Sequence, residues 1–312
     1  SVLSLHFFLN TEFYKTPVAG TRMFIMTIMR SFFMVAVPFF LLLTGYLVNK
    51  KTLSFKYYKG ILYPVGIYLL TSIINILYEV LILNDSMSFK TAILSLLNFK
   101  AVRYAWYIEM YMGLFLLIPF LNLIYNGLKS HKQKLVLIFT FFTLTTLPSL
   151  ITFNNNEILP DWWKGIYPLT YYFIGAYIRE YDVKIKKSLN FVLLMAVVLL
   201  SGIYNFNTSY NNIFTWGKYN DWGGIQVMLT SVLSFLLLKH LNLLKLPQFL
   251  KKLITIISKL SLGIYLASGI FDTIFYKRLN SMVQPMPKRL NYFIVIVPLV
   301  LIASSLFAVV TK

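Results

Sequence analysis

The sequence contains no cysteine, which excludes disulfides, thiolate nucleophiles and cysteine-ligated metal sites. Charged residues are also scarce: they make up 12% of the chain, about half of their share in a soluble globular domain. Acidic residues are the scarcest of these, because only 10 Asp and Glu stand against 29 Lys and Arg. Hydrophobic residues instead account for 58% of the chain. This composition excludes an ordinary soluble domain and indicates a protein that lies within a membrane.

Runs of about 20 apolar residues recur along the whole chain, which is typical of polytopic helical membrane proteins. The sequence therefore predicts an all-α bundle of ten transmembrane helices, forming one integral-membrane domain over residues 1–312. The first helix is apolar from Ser1 onwards, so we expect it to begin upstream of that residue. Two other segments, 88–100 and Gln248–Lys259, are too short to span and predict helices lying on the membrane surface. The predicted spans are 1–10, 25–48, 58–83, 105–126, 134–153, 165–179, 188–206, 222–242, 261–278 and 291–310.

The net charge of +19 is positive enough to suggest nucleic-acid binding, but the basic residues are scattered through short loops, so we expect no nucleic-acid partner. Lys and Arg are more frequent in the loops 49–57, 127–133, 180–187 and 243–260 than in the alternate loops. Because cytoplasmic loops carry this excess, these loops and both chain ends are predicted to be cytoplasmic. The loop 277–290 departs from the rule, with four basic residues on the predicted outer side.

Two of the predicted outer loops, 154–164 and 206–222, are rich in Asn, Asp, Trp and Tyr. Such side chains suit sugar hydroxyls and the apolar faces of sugar rings. They are equally common in any loop at a membrane surface, so both interpretations stay open.

Ionisable residues inside the predicted spans are few, and unpaired charges in hydrocarbon are unfavourable, so these residues are the first candidates for a functional site. His6 is the strongest candidate, because histidine can accept and donate a proton near neutral pH. Glu109 is our candidate for the carboxylate that orients His6. Alternatively, His6 only bonds a neighbouring helix, and Arg30 and Glu109 form a structural ion pair. Asp272 is interpreted as an interfacial residue.

Four apolar segments, in their order and spacing, resemble the membrane acyltransferase-3 family of bacteria. They are Leu5-His6-Phe7, Val37-Pro38-Phe39-Phe40-Leu41-Leu42-Leu43-Thr44-Gly45-Tyr46-Leu47, Trp106-Tyr107 through Gly113-Leu114-Phe115-Leu116-Leu117-Ile118-Pro119-Phe120-Leu121-Asn122, and Lys259-Leu260-Ser261-Leu262-Gly263-Ile264-Tyr265-Leu266. Each segment alone is weakly specific, but the four in this order are more specific. The resemblance extends over nearly the whole chain.

The resemblance implies a multi-pass protein of the bacterial inner (plasma) membrane that O-acetylates a cell-envelope polysaccharide or glycoconjugate, with acetyl-CoA as donor and no metal. The family histidine that acts in acyl transfer corresponds to His6, and the family arginine upstream of it would fall before Ser1. The paired arginines that help to engage coenzyme A correspond to Lys56 and Lys59. These lysines can meet a phosphate as point charges, or they can simply anchor the helix at lipid headgroups.

Four further residues are assigned to substrate binding: Arg30, because it is an ionisable residue within a span, and Trp106, Tyr107 and Tyr111, because their rings can line the cavity. The three aromatic residues can instead belong to the aromatic belt of any membrane protein. The expected partners are the glycan acceptor and membrane lipids, and a homodimer stays open. Two other functions also stay open: a secondary transporter or lipid-linked glycan flippase, and the membrane portion of a larger multidomain envelope protein.

Overall fold

The computed structural model describes residues 1–153, 156–241 and 245–311, and these residues are almost entirely helical. The α-helices are α1 Val2–Asn10, α2 Gly20–Phe33, α3 Ala36–Val48, α4 Phe55–Lys59, α5 Leu62–Leu81, α6 Phe89–Leu97, α7 Trp106–Gly127, α8 His131–Thr145, α9 Leu147–Leu150, α10 Tyr167–Tyr181, α11 Lys187–Thr208, α12 Ile225–Lys239, α13 Gln248–Met282 and α14 Phe293–Val310. Short 3-10 helices occur at Phe13–Lys15, Asp161–Ile166, Lys218–Asn220 and Met286–Tyr292. The predicted all-α class is confirmed.

Two strands of two residues each, β1 Thr152–Phe153 and β2 Asn156–Glu157, interrupt the helical pattern. They pair antiparallel, with Thr152 opposite Glu157 and Phe153 opposite Asn156. Residues 154 and 155, which belong to the predicted outer loop 154–164, lie outside the described residues, as does residue 242 at the end of the predicted span 222–242.

Six segments of the described chain are helical, long and apolar enough to cross a membrane, so the protein has the character of a multi-pass membrane protein. They are Gly20–Val48, Phe55–Leu81, Trp106–Gly127, Lys187–Thr208, Gln248–Met282 and Met286–Val310. The predicted count of ten is not confirmed, because α1 has 9 residues and α8, α10 and α12 have 15 each. A helix rises 1.5 Å per residue, and about 20 residues are needed to cross the hydrocarbon core.

The segment Gln248–Lys259 is not a separate surface helix, as the sequence suggested, but the first third of α13. Nothing in the segment ends the helix, since it contains neither Gly nor Pro before Gly263. The resulting helix of 35 residues is about 50 Å long, well beyond the roughly 30 Å of a hydrocarbon core. The predicted helix at 88–100 is present as α6, capped by the Ser88 hydroxyl, which accepts the Thr91 N–H.

The described chain divides into two compact units, which are Ser1–Leu53, Ile118–Leu241 and Met286–Leu290 for the first, and Ser54–Leu117, Asn242–Pro285 and Asn291–Lys312 for the second. In the first unit α3 packs against α10, and α2 packs against α11. The α3–α10 contact depends on small residues, because a Cβ on Gly45 would overlap the Tyr172 carbonyl and one on Gly175 would overlap the Leu42 carbonyl. Such close approach is a common way for membrane helices to associate.

Asparagine side chains on α7 complete the C-terminal end of α3 in the first unit. Asn122 Nδ2 donates to the Val48 and Lys51 carbonyls at 2.8 and 2.7 Å, and Asn126 Nδ2 donates to the Asn49 carbonyl at 2.8 Å. The last carbonyls of a helix have no partner within it, so these amides supply the missing donors.

In the second unit α13 is the central helix, and it contacts both α5 and α14. Leu260, Ile264 and Ala308 form one of its buried apolar clusters, and a Cβ on Gly263 would stand 3.0 Å from the Ala308 methyl. Asn75 on α5 donates to the Ala101 carbonyl at 2.7 Å.

Candidate active site

His6 lies in the middle of α1, and only 4% of it is exposed. The helix is apolar, and at its end polar side chains donate hydrogen bonds to its carbonyls. Asn10 Nδ2 donates to the His6 carbonyl at 2.8 Å, and the Thr11 hydroxyl donates to the Phe7 carbonyl at 2.7 Å. The aromatic neighbours of His6, Phe7 and Phe8, are fully buried. The helix therefore holds the histidine in the packed interior of the first unit.

An ion pair between a buried arginine and a half-exposed carboxylate fixes the chain directly after α1. Arg289 is 1% exposed, and its Nη1 lies 2.7 Å from Glu12 Oε2 and 2.9 Å from the Thr11 carbonyl oxygen. Glu12 adopts a left-handed backbone (φ 64°), which costs free energy for a residue with a Cβ. The arginine stabilises this turn and so positions the end of the helix that carries His6.

Sequence reasoning missed the Arg289–Glu12 pair. It counted Arg289 among the four basic residues that depart from the charge rule in the loop 277–290. Because Arg289 is buried and bonds a carboxylate, it stabilises the fold and does not only add to the charge of its loop. The sequence signal was weak, since 277 positions separate the two residues.

Arg30, in the last turn of α2, is completely buried, as expected for an ionisable residue in this segment. Its guanidinium is held by neutral groups: Nε donates to the Tyr14 hydroxyl at 3.1 Å, and Nη1 donates to the Asn220 carbonyl and Oδ1 at 3.1 and 3.2 Å. Its Cζ lies 4.6 Å from the centre of the Phe214 ring and 4.5 Å from that of Trp216. Burial raises the pKa of Tyr14, although the charge and hydrogen bond of Arg30 oppose this.

A network of side-chain amide hydrogen bonds holds Asn220, a residue that bonds Arg30. Asn220 Nδ2 donates to Asn205 Oδ1 at 3.2 Å, and Asn205 Nδ2 donates to the Ser31 hydroxyl and to Gln226 Oε1 at 3.1 and 2.9 Å. These residues lie on α2, α11, α12 and the loop between α11 and α12, so the network ties four parts of the first unit together.

Aromatic rings connect the surroundings of His6 with those of Arg30. Phe8 contacts Phe13 at a centroid distance of 5.5 Å, and Phe13 contacts Phe214 at 5.3 Å. Phe214 in turn packs beside Arg30. The predicted outer loop 206–222 thus contributes Phe214, Trp216 and Asn220 to the Arg30 site, although only its Asn and aromatic content was noticeable in the sequence.

The other predicted site residues lie in the second unit. Trp106, Tyr107 and Tyr111 begin α7 as a row of rings, with Tyr107 and Tyr111 stacked at 6.1 Å. Glu109 lies in the first turn of the same helix, and its side chain is exposed rather than enclosed by packing. The pairing of Glu109 with His6 stays a prediction. Asp272, which the sequence suggested to be interfacial, is 1% exposed and lies within α13, and its depth in the membrane stays a prediction.

Lys56 and Lys59 lie on the short helix α4, where both side chains are exposed. Lys59 Nζ is 5.0 Å from the centre of the Phe55 ring. Tyrosines attach this helix to α7: the Tyr57 hydroxyl donates to the Phe115 carbonyl at 2.7 Å, and the Tyr58 hydroxyl to that of Leu116 at 3.3 Å. The lysines are therefore available to a charged ligand on an anchored element.

Comparison with known families adds one finding. The model of the acyltransferase-3 family, described as an acyltransferase domain, matches residues 1–309. The chain belongs to the acyltransferase-3 family. The resemblance found in the four apolar segments is confirmed, and the family supports a membrane acyltransferase. No curated protein and no solved structure matches the chain. Among the described residues, no group of three or more His, Asp and Glu is placed to hold a metal ion.

Proposed function

We propose that this acyltransferase is an O-acetyltransferase of the bacterial inner membrane. It transfers an acetyl group from cytoplasmic acetyl-CoA to a hydroxyl of a cell-envelope glycan, and His6 is its catalytic residue. The observation that carries the proposal is the coincidence of a family match over residues 1–309 with a histidine buried in the first helix.

The chemistry requires a hydroxyl oxygen to attack the carbonyl carbon of the acetyl group while the hydroxyl proton is removed. In one route His6 accepts that proton as general base, and coenzyme A leaves as a thiolate that is then protonated. In the other route the imidazole nitrogen attacks the thioester carbonyl carbon first, and coenzyme A leaves as a thiolate that takes up the imidazole N–H proton. The hydroxyl oxygen then attacks the acetyl carbon on the imidazole, the C–N bond breaks, and the released imidazole nitrogen takes the hydroxyl proton. Both routes need an imidazole in a fixed orientation, which burial in α1 supports.

The remaining assignments follow from this scheme. Glu109 is proposed to orient His6 and to stabilise the imidazolium. Lys56 and Lys59 suit the phosphates of coenzyme A, because they are exposed cations on a helix anchored by Tyr57 and Tyr58. In the acceptor site, Trp106, Tyr107 and Tyr111 supply ring faces and hydroxyls, and Arg30 supplies a cation.

The proposal is tested with the purified protein in detergent, acetyl-CoA labelled in the acetyl group, and glycan extracted from cell envelopes. We expect label in the glycan with the wild-type protein. With His6→Gln the rate of labelling should fall by at least about a hundredfold, because a general base usually contributes that much. His131→Gln is the matched control, since His131 lies at the start of α8 with an exposed side chain. Equal transfer by the wild-type and His6→Gln proteins would contradict the assignment of His6.

A further inference from the structure

The guanidinium of Arg30 is incompletely bonded. Nε and Nη1 have partners, but Nη2 is buried and has no hydrogen-bond acceptor among the described residues. Leaving a buried donor unsatisfied costs about 1 to 3 kcal/mol, and more when the group is charged. Such an atom in an otherwise well-bonded site points to a ligand.

The charge of Arg30 is also unbalanced. Its partners within the described residues are a phenol, an amide and a backbone carbonyl, and it forms no ion pair with a carboxylate there. The nearby acids have other partners: Asp221 accepts from the Trp216 and Trp222 N–H groups, and Glu12 pairs with Arg289. Buried charges are normally paired, so this site has room in its charge balance for an anion.

The surroundings fit a ligand that arrives through the loop between α11 and α12. The Phe214 and Trp216 rings contact the guanidinium, and guanidinium groups stack well on aromatic rings. Phe214 is buried, but Trp216 is 37% exposed, so its ring separates Arg30 from the surface. We therefore expect a ligand to approach the guanidinium beside the Trp216 ring.

From these observations we infer that Arg30 binds an anionic oxygen group, a carboxylate or a phosphate, on the acceptor. Binding of an anion by Arg30 does not depend on the proposed function. The identification of that anion as part of the acceptor does rest on it, because coenzyme A also carries phosphates. The loop 206–222 is on the predicted outer side, opposite to the loop 49–57 that precedes Lys56 and Lys59, which favours the acceptor. The acceptor would then be an acidic glycan, such as one that contains uronic acid or phosphate.

The test measures ligand binding to the full chain in detergent by the thermal unfolding midpoint and by tryptophan emission. The probe is glucuronate, compared with glucuronamide, which has the same ring without the charge. We expect glucuronate alone to raise the midpoint and to change the emission, with the emission change lost in Trp216→Phe. Arg30→Lys should weaken glucuronate binding about tenfold, because one charge-assisted hydrogen bond is lost. The matched control Arg22→Lys, an exposed position on the same helix, should bind like wild type.

Equal binding of glucuronate and glucuronamide by the wild-type protein would overturn the inference, even if Arg30→Lys did not fold. Binding of adenosine 3′,5′-bisphosphate, a fragment of coenzyme A, through Arg30 in place of glucuronate would overturn the assignment to the acceptor. The proposed function is separable, because these measurements require no acetyl transfer. Anion binding without transfer would contradict only the function, and transfer without anion binding would contradict only this inference.

Discussion

At the scale of single residues, the first unit is organised by a few buried polar side chains. His6 occupies a short helix, Arg289 fixes the turn that follows it, and Arg30 lies on the next helix in an aromatic and amide environment. Each of these residues is expensive to bury alone. The charge of Arg289 is balanced by the Glu12 carboxylate, whereas Nη2 of Arg30 has no hydrogen-bond acceptor among the described residues.

The Arg289–Glu12 pair gives a prediction at this scale. Arg289→Gln removes the charge that holds the left-handed turn at Glu12, so the free energy of unfolding should fall by about 2 kcal/mol. The loss should lower the thermal midpoint of the purified protein and, through α1, its transferase activity. The neighbouring change Lys288→Gln removes an exposed charge and should alter neither. Equal midpoints for Arg289→Gln and Lys288→Gln would show that the pair does not stabilise α1.

At the scale of elements, α7 begins with the Trp106-Tyr107 motif, and Pro119 lies within it. Proline has no N–H, so it cannot donate to the carbonyl four residues earlier, which belongs to Phe115. The Tyr57 hydroxyl donates to that carbonyl instead. The missing hydrogen bond at Pro119 thus frees the carbonyl to which α4 is attached.

Tyr57→Phe tests this attachment. The change leaves the Phe115 carbonyl without its donor and should lower the free energy of unfolding by about 1 kcal/mol. It should also raise the KM for acetyl-CoA, because Lys56 and Lys59 move with α4. Tyr63→Phe, which alters an exposed ring on α5, is the control. The attachment is disproved by a Tyr57→Phe protein with wild-type stability and wild-type KM.

The lysines of α4 have a distinct electrostatic signature. Replacing Lys56 and Lys59 together by Gln should raise the KM for acetyl-CoA several-fold at low salt. The difference from wild type should shrink as salt rises, since added ions screen exposed charges. The control pair, Lys90→Gln with Lys100→Gln, removes two exposed lysines on the predicted outer side. A KM unchanged at every salt concentration would remove Lys56 and Lys59 from the donor site.

Sequence and structure agree where the physics is local. Apolar runs predicted helices at nearly every position, because a chain in hydrocarbon must satisfy its own backbone hydrogen bonds. Helix lengths are harder to predict, since α8 ends within a segment that remains apolar, and α13 continues through residues whose pattern is that of a separate surface helix. The burial of Asp272 and the partners of Arg30 depend on contacts between distant segments, which a single sequence does not reveal.

At the scale of the whole molecule, the proposed function depends on how the protein is oriented in the membrane. The proposed chemistry places the coenzyme A site inside and the acceptor site outside. Loops that carry the most Lys and Arg are predicted to be cytoplasmic, and this prediction is independent of the site residues.

The absence of cysteine makes the orientation directly measurable, because any introduced thiol is unique. Two exposed positions serve as reporters: Ile213→Cys in the predicted outer loop and Lys132→Cys near the predicted cytoplasmic start of α8. A membrane-impermeant maleimide should label Ile213→Cys in intact cells and Lys132→Cys only after the membrane is disrupted. The reverse pattern would invert the orientation and exchange the proposed donor and acceptor sides.

The central claim is that the protein acetylates an envelope glycan with His6 as its catalytic residue. It is tested most directly by measuring ester-linked acetyl in envelope glycans from cells with the wild-type protein, without the protein, and with His6→Ala at equal abundance in the membrane. We predict glycan acetylation only with the wild-type protein, and the same low level in the other two strains. Equal acetylation in all three would contradict the claim.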